Sequence, residues 1–177
     1  MEKRYDAIIV GGGPAGLSAA IYMARARFHV LVIEKEKMGG QITITSEVVN
    51  YPGIFKTDGE ALTREMVRQA EAFGAEFLSA NVTGLSLAGD TKVVHTDRGD
   101  FEAMGLIYAA GAHPRLAGFT GEMEFRGHGV AYCATCDGEF FTGKDIFVIG
   151  GGYAAVEEAL FLTKYARKVH VIVRGAD

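Results

Sequence analysis

The 177-residue sequence predicts an α/β fold, and three observations predict it. A glycine-rich turn joins an apolar strand to a helix near the start, a second such turn recurs near the end, and alternating, turn-punctuated runs lie between them.

The first turn is Gly11-Gly12-Gly13-Pro14-Ala15-Gly16, directly after the apolar run Tyr5 to Val10 and opening into Leu17 to Ala26. Strand, turn and helix come in the order a dinucleotide-binding unit requires. Gly11 permits the tight turn, Gly13 lets backbone approach a pyrophosphate, and Gly16 lets helix and strand pack closely, with the helix N-terminus favouring the anion. A second strand, His29 to Ile33, ends at Glu34, roughly 20 residues beyond the first glycine, where an acidic group would hold ribose hydroxyls.

The middle of the chain changes style. Met38-Gly39-Gly40-Gln41 and Val49-Asn50-Tyr51-Pro52-Gly53 read as irregular loops, longer than a minimal connection, suited to covering a ligand on the first turn. Thr57-Asp58-Gly59-Glu60 resembles a capping box, followed by a structural helix with Ala61, Leu62, Glu65, Met66, Gln69, Ala70 and Phe73 along one stripe. Phe77 to Leu87 and Lys92 to Thr96, punctuated by Gly89-Asp90 and Gly99-Asp100, read as a short antiparallel meander. Ala103 to Ala109 returns to a buried strand, and prolines, glycines and charges from Pro114 to Gly129 mark a boundary.

The second turn repeats the logic of the first. Asp145 to Ile149 reads as a buried strand, Gly150-Gly151-Gly152-Tyr153-Ala154-Ala155 as the turn, and Val156 to Tyr165 as a helix with Ala155, Ala159 and Leu162 on one face. Ala155 replaces the last glycine, an accepted variant. Arg167 to Val173 supplies the following strand. The expected whole is two Rossmann-like dinucleotide-binding units on a parallel sheet, with a small antiparallel meander, incomplete at the C-terminus. The expected domains are 1–114 and 115–177.

Composition fits a globular α/β protein, with 49% apolar and 23% charged residues. A net charge of −4 argues against nucleic acid or an anionic membrane as partner. Met1-Glu2-Lys3-Arg4 runs straight into the first strand with no export signal, and only two cysteines are present, so a cytoplasmic redox pair is expected rather than a secreted disulfide scaffold.

Those cysteines are Cys133-Ala134-Thr135-Cys136, followed by Asp137, between the two glycine turns. A disulfide here could accept two electrons and pass them on by thiol–disulfide exchange through a mixed disulfide. Asp137 could give the departing thiolate its proton if burial raises its pKa, and a helix starting near Ala134 would stabilise a thiolate. Zinc is the competing reading. One C-x-x-C supplies two of the four ligands a closed site needs, and His128 is the nearest further donor, so no metal is expected. His29, His95 and His170 lie on expected strands and carry no assigned chemistry.

Taken in order, Gly11 to Gly16, Gly39-Gly40-Gln41, Asn50-Tyr51-Pro52-Gly53, Cys133 to Gly138 and Gly150-Gly151-Gly152 with Val156-Glu157-Glu158-Ala159 resemble the low-molecular-weight thioredoxin reductases over essentially the whole chain. The resemblance implies an FAD-dependent disulfide reductase, with FAD on the first turn and NADPH on the second. It implies that Gly11, Gly13, Pro14, Ala15, Gly16, Glu34, Gly39, Gly40 and Gln41 line FAD, with Asn50 and the turn at Gly111 near the flavin. His113 follows that turn without an assigned role. Gly150, Gly152, Ala155 and Arg174 would serve the pyridine nucleotide. Cys136 would face the flavin, and Cys133 would exchange with thioredoxin or a similar disulfide protein. Ala134-Thr135 between the cysteines, in place of Pro-His, points away from the alkyl hydroperoxide reductase flavoproteins. A homodimer is implied for the full-length family.

Two departures bear on the electron donor and on completeness. A guanidinium cluster, His-Arg-Arg and a further Arg, is what recognises a 2′-phosphate in that family. Here the place reads Val173-Arg174-Gly175-Ala176-Asp177, which leaves NADPH, NADH and reduced ferredoxin open as donors. Family members are nearly twice this length, and the segment that completes the FAD domain is not in this sequence. The chain alone is therefore expected to bind FAD weakly if at all, with strand edges uncovered.

Overall fold

The apolar run after Arg4 forms strand β1 (Arg4–Val10) in the computed structural model, which describes residues 4–175. Two compact units make up the chain, residues 1–112 and 113–177.

In the first unit, β1 leads through the glycine turn into helix α1 (Pro14–Arg25), with Pro14 starting the helix where its missing N–H costs nothing. Strand β2 (Val30–Glu34) returns parallel to β1. A 3₁₀ helix (Gly40–Ile44) and helix α2 (Gly59–Ala72) follow, then strands β3 (Glu76–Ser79), β4 (Val82–Ser86), β5 (Lys92–Thr96) and β6 (Gly99–Tyr108). The six strands form one sheet in the order β3-β2-β1-β6-β5-β4. The four-strand part from β3 to β6 is parallel, and the β6-β5-β4 part is antiparallel.

The centre of the sheet is covered on both faces, so β1 and β2 are apolar at nearly every position, as buried parallel strands require. Ile8, Val10, Leu31 and Ile33 pack with Val94 and Ala103 on one face. Ile9, Val30 and Val32 pack against Ala20 and Ala24 of α1 and Ala70 of α2 on the other. Leu17, Val48, Leu62 and Met66 fill the space between the helices. Each fully buried aliphatic side chain of this kind stabilises by about 1.5–3 kcal/mol relative to exposure.

Several sequence expectations need correction. The run Phe77 to Leu87 is not one arm of a meander. It breaks at Ala80-Asn81 into β3, parallel to β2, and β4, antiparallel to β5, at opposite edges of the sheet. Alternation reports exposure on one face and carries no information about the pairing partner. Ala103 to Ala109 is neither separate from the meander nor a buried strand: β6 runs from Gly99, pairs antiparallel with β5 and parallel with β1, and buries only Ala103 fully, with Met104 54% and Tyr108 71% exposed. The cap of α2 is Asp58, whose carboxylate accepts from the Ala61 N–H at 2.7 Å. Thr57 Oγ1 donates to the Asp58 carbonyl instead, and Glu60 pairs with Lys37 across the surface. The buried stripe of α2 is Leu62, Thr63, Met66 and Ala70, with Phe73 left exposed.

The second unit holds a short helix α3 (Ala134–Asp137), a 3₁₀ helix (Gly138–Phe141), strand β7 (Asp145–Ile149), helix α4 (Tyr153–Leu162) and strand β8 (Lys168–Ile172). Strands β7 and β8 pair in parallel as a two-stranded sheet. Ala159 and Leu162 of α4 are buried, as expected. The expectation that Asp145 to Ile149 is a buried strand is not met: Phe147 is 58% and Ile149 46% exposed. Among the described residues, β7 has one paired neighbour and one covered face, too few to bury it.

Candidate functional site

The first glycine turn is shaped by contacts that exclude side chains. Gly11 lies at φ +110°, and a Cβ there would fall 2.2 Å from the Ala109 carbonyl oxygen, so neither its conformation nor its space admits another residue. A Cβ on Gly16 would fall 1.9 Å from the Gly11 oxygen, which confirms its part in close helix–strand packing. Gly13 differs: its ideal Cβ would meet nothing nearer than the Gly40 Cα at 3.9 Å, an ordinary van der Waals contact with the loop at Gly39-Gly40. Helix α1 begins with Pro14-Ala15-Gly16, has no side chain capping its N-terminus and no acidic residue in its first turn. Its backbone N–H groups therefore face outward with positive potential.

A second loop closes over this turn. The Gly39 N–H donates to the Gly12 carbonyl at 2.8 Å. Gly40, at φ +66°, comes so close to Gly13 that a Cβ would lie 3.0 Å from its Cα. Glu34 at the end of β2 reaches under the turn, where its carboxylate accepts from the Gly12 N–H at 2.8 Å and the Glu36 N–H at 3.0 Å. The expected residues Gly11, Gly13, Pro14, Ala15, Gly16, Glu34, Gly39 and Gly40 are thus brought together. Gln41 is solvent-exposed in the 3₁₀ helix and Asn50 in the loop beyond it, and exposed Gly111 follows Ala109, whose N–H donates to the Val10 carbonyl beside the turn.

This cradle fits a pyrophosphate-linked dinucleotide such as FAD on its own geometry, through a turn whose Gly11 and Gly16 admit no side chain and an uncapped helix N-terminus beside it. Sequence reading overlooked two supports. Met38 Sδ sits 2.5 Å from the ideal Cβ of Gly12, and buried Thr63 stands behind Gly39 while its Oγ1 donates to the Gly59 carbonyl at 2.8 Å. Their roles arise from contacts across the fold.

The second unit carries the dithiol. Cys133 and Cys136 form a disulfide with Cα atoms 5.3 Å apart, Cys133 at the N-cap of α3 and Cys136 within it. Cys133 is half-buried and Cys136 exposed. Burial pushes the Asp137 carboxyl above its ordinary value, the condition under which it can hold a proton for a leaving thiolate. Cys133 and Asp137 line a cleft of about 650 Å³ that also takes in Gly152 and Ala155 of the second glycine turn.

That turn keeps the form of the first with one exchange. Gly150 is at φ +146° and its ideal Cβ would lie 3.2 Å from the Ala155 Cβ, so alanine at the last position is accommodated by the first glycine. Gly152 caps α4 with no side chain over it and nothing within 4 Å of its ideal Cβ. The donor set again fits a dinucleotide phosphate. Arg174 stands exposed just beyond β8, between Val173 and Gly175. Ala176 and Asp177, the rest of that expected phosphate-reading segment, lie outside the described residues.

Sequence reading missed Glu122. It is 3% exposed, and its carboxylate accepts from the Ala117 N–H at 2.9 Å, the Gly118 N–H at 2.6 Å and the Tyr132 hydroxyl at 2.9 Å. The stretch around it is charged and rich in glycine, with no periodicity to signal burial. The expected-strand histidines are all engaged: His29 with Glu76 at 2.9 Å, His95 with Asp100 at 3.0 Å, and His170 stacked on Phe147.

Comparison with known proteins agrees with this geometry. The family described as pyridine nucleotide-disulphide oxidoreductase matches residues 5–177. The chain is 50% identical to a thioredoxin reductase of Peptoclostridium litorale over 100% of the chain and 56% of that protein, and 49% identical to one of Peptoclostridium acidaminophilum. The crystal structure of thioredoxin reductase from Streptococcus pyogenes superimposes with a TM-score of 0.92 at 42% identity, covering 97% of this chain and 56% of that one. The chain thus spans about half the length of the curated relatives it matches.

Proposed function

The chain belongs to the pyridine nucleotide-disulphide oxidoreductase family, and from that premise we propose that it carries the flavin-binding turn and the reactive dithiol of a thioredoxin reductase. The observation that carries this reading is the Cys133–Cys136 disulfide at the start of α3, in one cleft with Asp137 and the second glycine turn. The names of the relatives supply thioredoxin as the partner class.

The residues that would hold FAD are Gly11, Gly13, Pro14, Ala15, Gly16, Glu34, Gly39 and Gly40, with Gln41, Asn50 and Gly111 reaching it from exposed positions. When bound, FAD would supply the two electrons that open the disulfide. The residues of the chain do the rest. Asp137 holds a proton in its partly buried carboxyl and delivers it to the departing thiolate, so that the pair does not reclose. Cys133, at the N-cap of α3, attacks the partner's disulfide; a mixed disulfide forms, and Cys136 breaks it, releasing the reduced partner.

The pyridine nucleotide would bind at Gly150, Gly152 and Ala155, with Arg174 the guanidinium nearest the place where a 2′-phosphate is read. Val173 and Gly175 flank it where the family pattern has further cations, which favours NADH or reduced ferredoxin beside NADPH as donor. Cytoplasmic location and a homodimer belong to the same reading.

Trapping tests it without flavin. Reduced Cys136→Ser chain mixed with oxidised thioredoxin should accumulate a mixed disulfide through Cys133, resolved by mass spectrometry, whereas Cys133→Ser should not. Equal trapping by both variants, or by neither, would sink the assignment.

A further inference from the structure

We propose that Glu122 is a positioning residue for the dithiol: through Tyr132 it fixes the segment entering Cys133, and its buried charge biases the Cys133–Cys136 couple toward the disulfide. This rests on the reading above only in taking that pair as the reacting one.

Among the described residues Glu122 is the only charged side chain that is buried. A carboxylate taken out of water is tolerated where donors replace its hydration, and here three do. The Ala117 N–H bond leads the effects that hold its pKa below the ordinary range, against burial, with the Gly118 and Tyr132 bonds adding to it. The charge is therefore present at neutral pH.

Two of those donors, the Ala117 and Gly118 N–H groups, lie in the same 113–130 segment, and the third reaches beyond it. That third donor is Tyr132, the residue immediately before Cys133. Tyr132 is held at both ends: its hydroxyl donates to Glu122, and Arg126 lies over its ring at 5.4 Å. The Arg126 turn is itself tied, with the Gly127 N–H donating to Val130 and the Val130 N–H to Phe125. The chain reaches Cys133 already fixed, and the Asp137 N–H then closes α3 on the Cys133 carbonyl at 3.1 Å.

The charge acts in the same space. Glu122, Cys133 and Asp137 line one cleft. A fixed negative charge disfavours further negative charge nearby, so it opposes the thiolate forms of the reduced pair. The other charged groups lining the cleft are Arg115, Asp145 and Glu158, and Asp145 is paired with Arg167. Of these acids, Glu122 is the one shielded from solvent contact.

Dithiothreitol takes the couple across in a balanced exchange. Its two thiols lose two electrons and two protons and close a ring disulfide, while the Cys133–Cys136 bond breaks; one sulfur takes up a proton and the other remains a thiolate, the second proton passing to buffer, and it is this thiolate that the Glu122 charge opposes. The 177-residue chain, Glu122→Gln and Tyr132→Phe are each equilibrated with reduced and oxidised dithiothreitol at neutral pH, and the oxidised fraction is read by thiol mass-tagging. Glu122→Gln should shift the equilibrium about 3- to 10-fold toward the dithiol, the upper end being about 30 mV. Tyr132→Phe keeps the charge and should stay within about twofold of wild type, while amide exchange from Cys133 to Asp137 quickens by about tenfold. An unshifted equilibrium in Glu122→Gln, or an equal shift in both variants, overturns the charge effect. If Glu122→Gln does not fold, Tyr132→Phe decides: unchanged amide exchange at those residues overturns the proposal. Neither readout involves thioredoxin or flavin, so it can fail while the trapping result stands, and the reverse.

Discussion

Asp137 shows how a single carboxyl can be read from either end. Its place directly after Cys136 suggests proton delivery, a role that needs a raised pKa, and burial in the second unit raises it. The sign for stability follows. The folded chain keeps a proton that the unfolded chain loses as pH rises through the ordinary aspartate range, so the fold loses stability on the way from that range to neutral pH. Asp137→Asn should therefore melt higher than wild type at neutral pH, and the difference should close below about pH 3.9, where the aspartate of the unfolded chain is also protonated. Scanning calorimetry at the two pH values checks this, and a gap independent of pH would show another origin. Gly11, Gly13 and Gly16 were legible as residues because each does a different steric job that a motif records. Glu122 was not, because its burial depends on donors from Ala117, Gly118 and Tyr132 that no local spacing announces.

Among the elements, helix ends show where local chemistry suffices and where it does not. Asp58 rather than Thr57 caps α2, since an ionised carboxylate beside the positive helix end competes better for the Ala61 N–H than a hydroxyl does. At the other end of α1, Arg27 takes φ +69°, with its N–H bonded to the Ala24 carbonyl and that of Phe28 to the Met23 carbonyl. Glycine is the usual residue for that left-handed position, because a Cβ is crowded there. Arg27→Gly should raise stability by up to about 1 kcal/mol in urea unfolding followed by far-ultraviolet circular dichroism. A loss would mean that the Arg27 side chain, though exposed, contributes more than its backbone costs. The strands divide in the same way. The continuous apolar runs of β1 and β2 identified central parallel strands, while Phe77 to Leu87 looked like one strand and became two at opposite sheet edges.

Across the whole molecule the two units differ in how completely they are covered. Ile8, Ile9, Val30 and Val32 are fully buried in the first unit, whereas Phe147, Ile149, Val171 and Ile172 remain exposed in the second. Backbone amides open more readily where fewer apolar contacts hold them, so those of β1 and β2 should exchange slowest and those of β7 and β8 clearly faster. Hydrogen-exchange mass spectrometry reads this directly, with equal protection of the two sheets as the contrary result. By itself, the sequence determined the α/β class, two glycine turns set between strand and helix, and a cysteine pair next to an acid, because these depend on steric and chemical rules acting over a few neighbouring residues. Only the tertiary structure decided which strands pair across β3-β2-β1-β6-β5-β4, that Gly39-Gly40 close over Gly13, and that Glu122 bonds Tyr132, the neighbour of Cys133. Those outcomes rest on contacts between residues far apart in the chain, where hydrophobic pattern specifies that a face is buried and leaves its partner to packing.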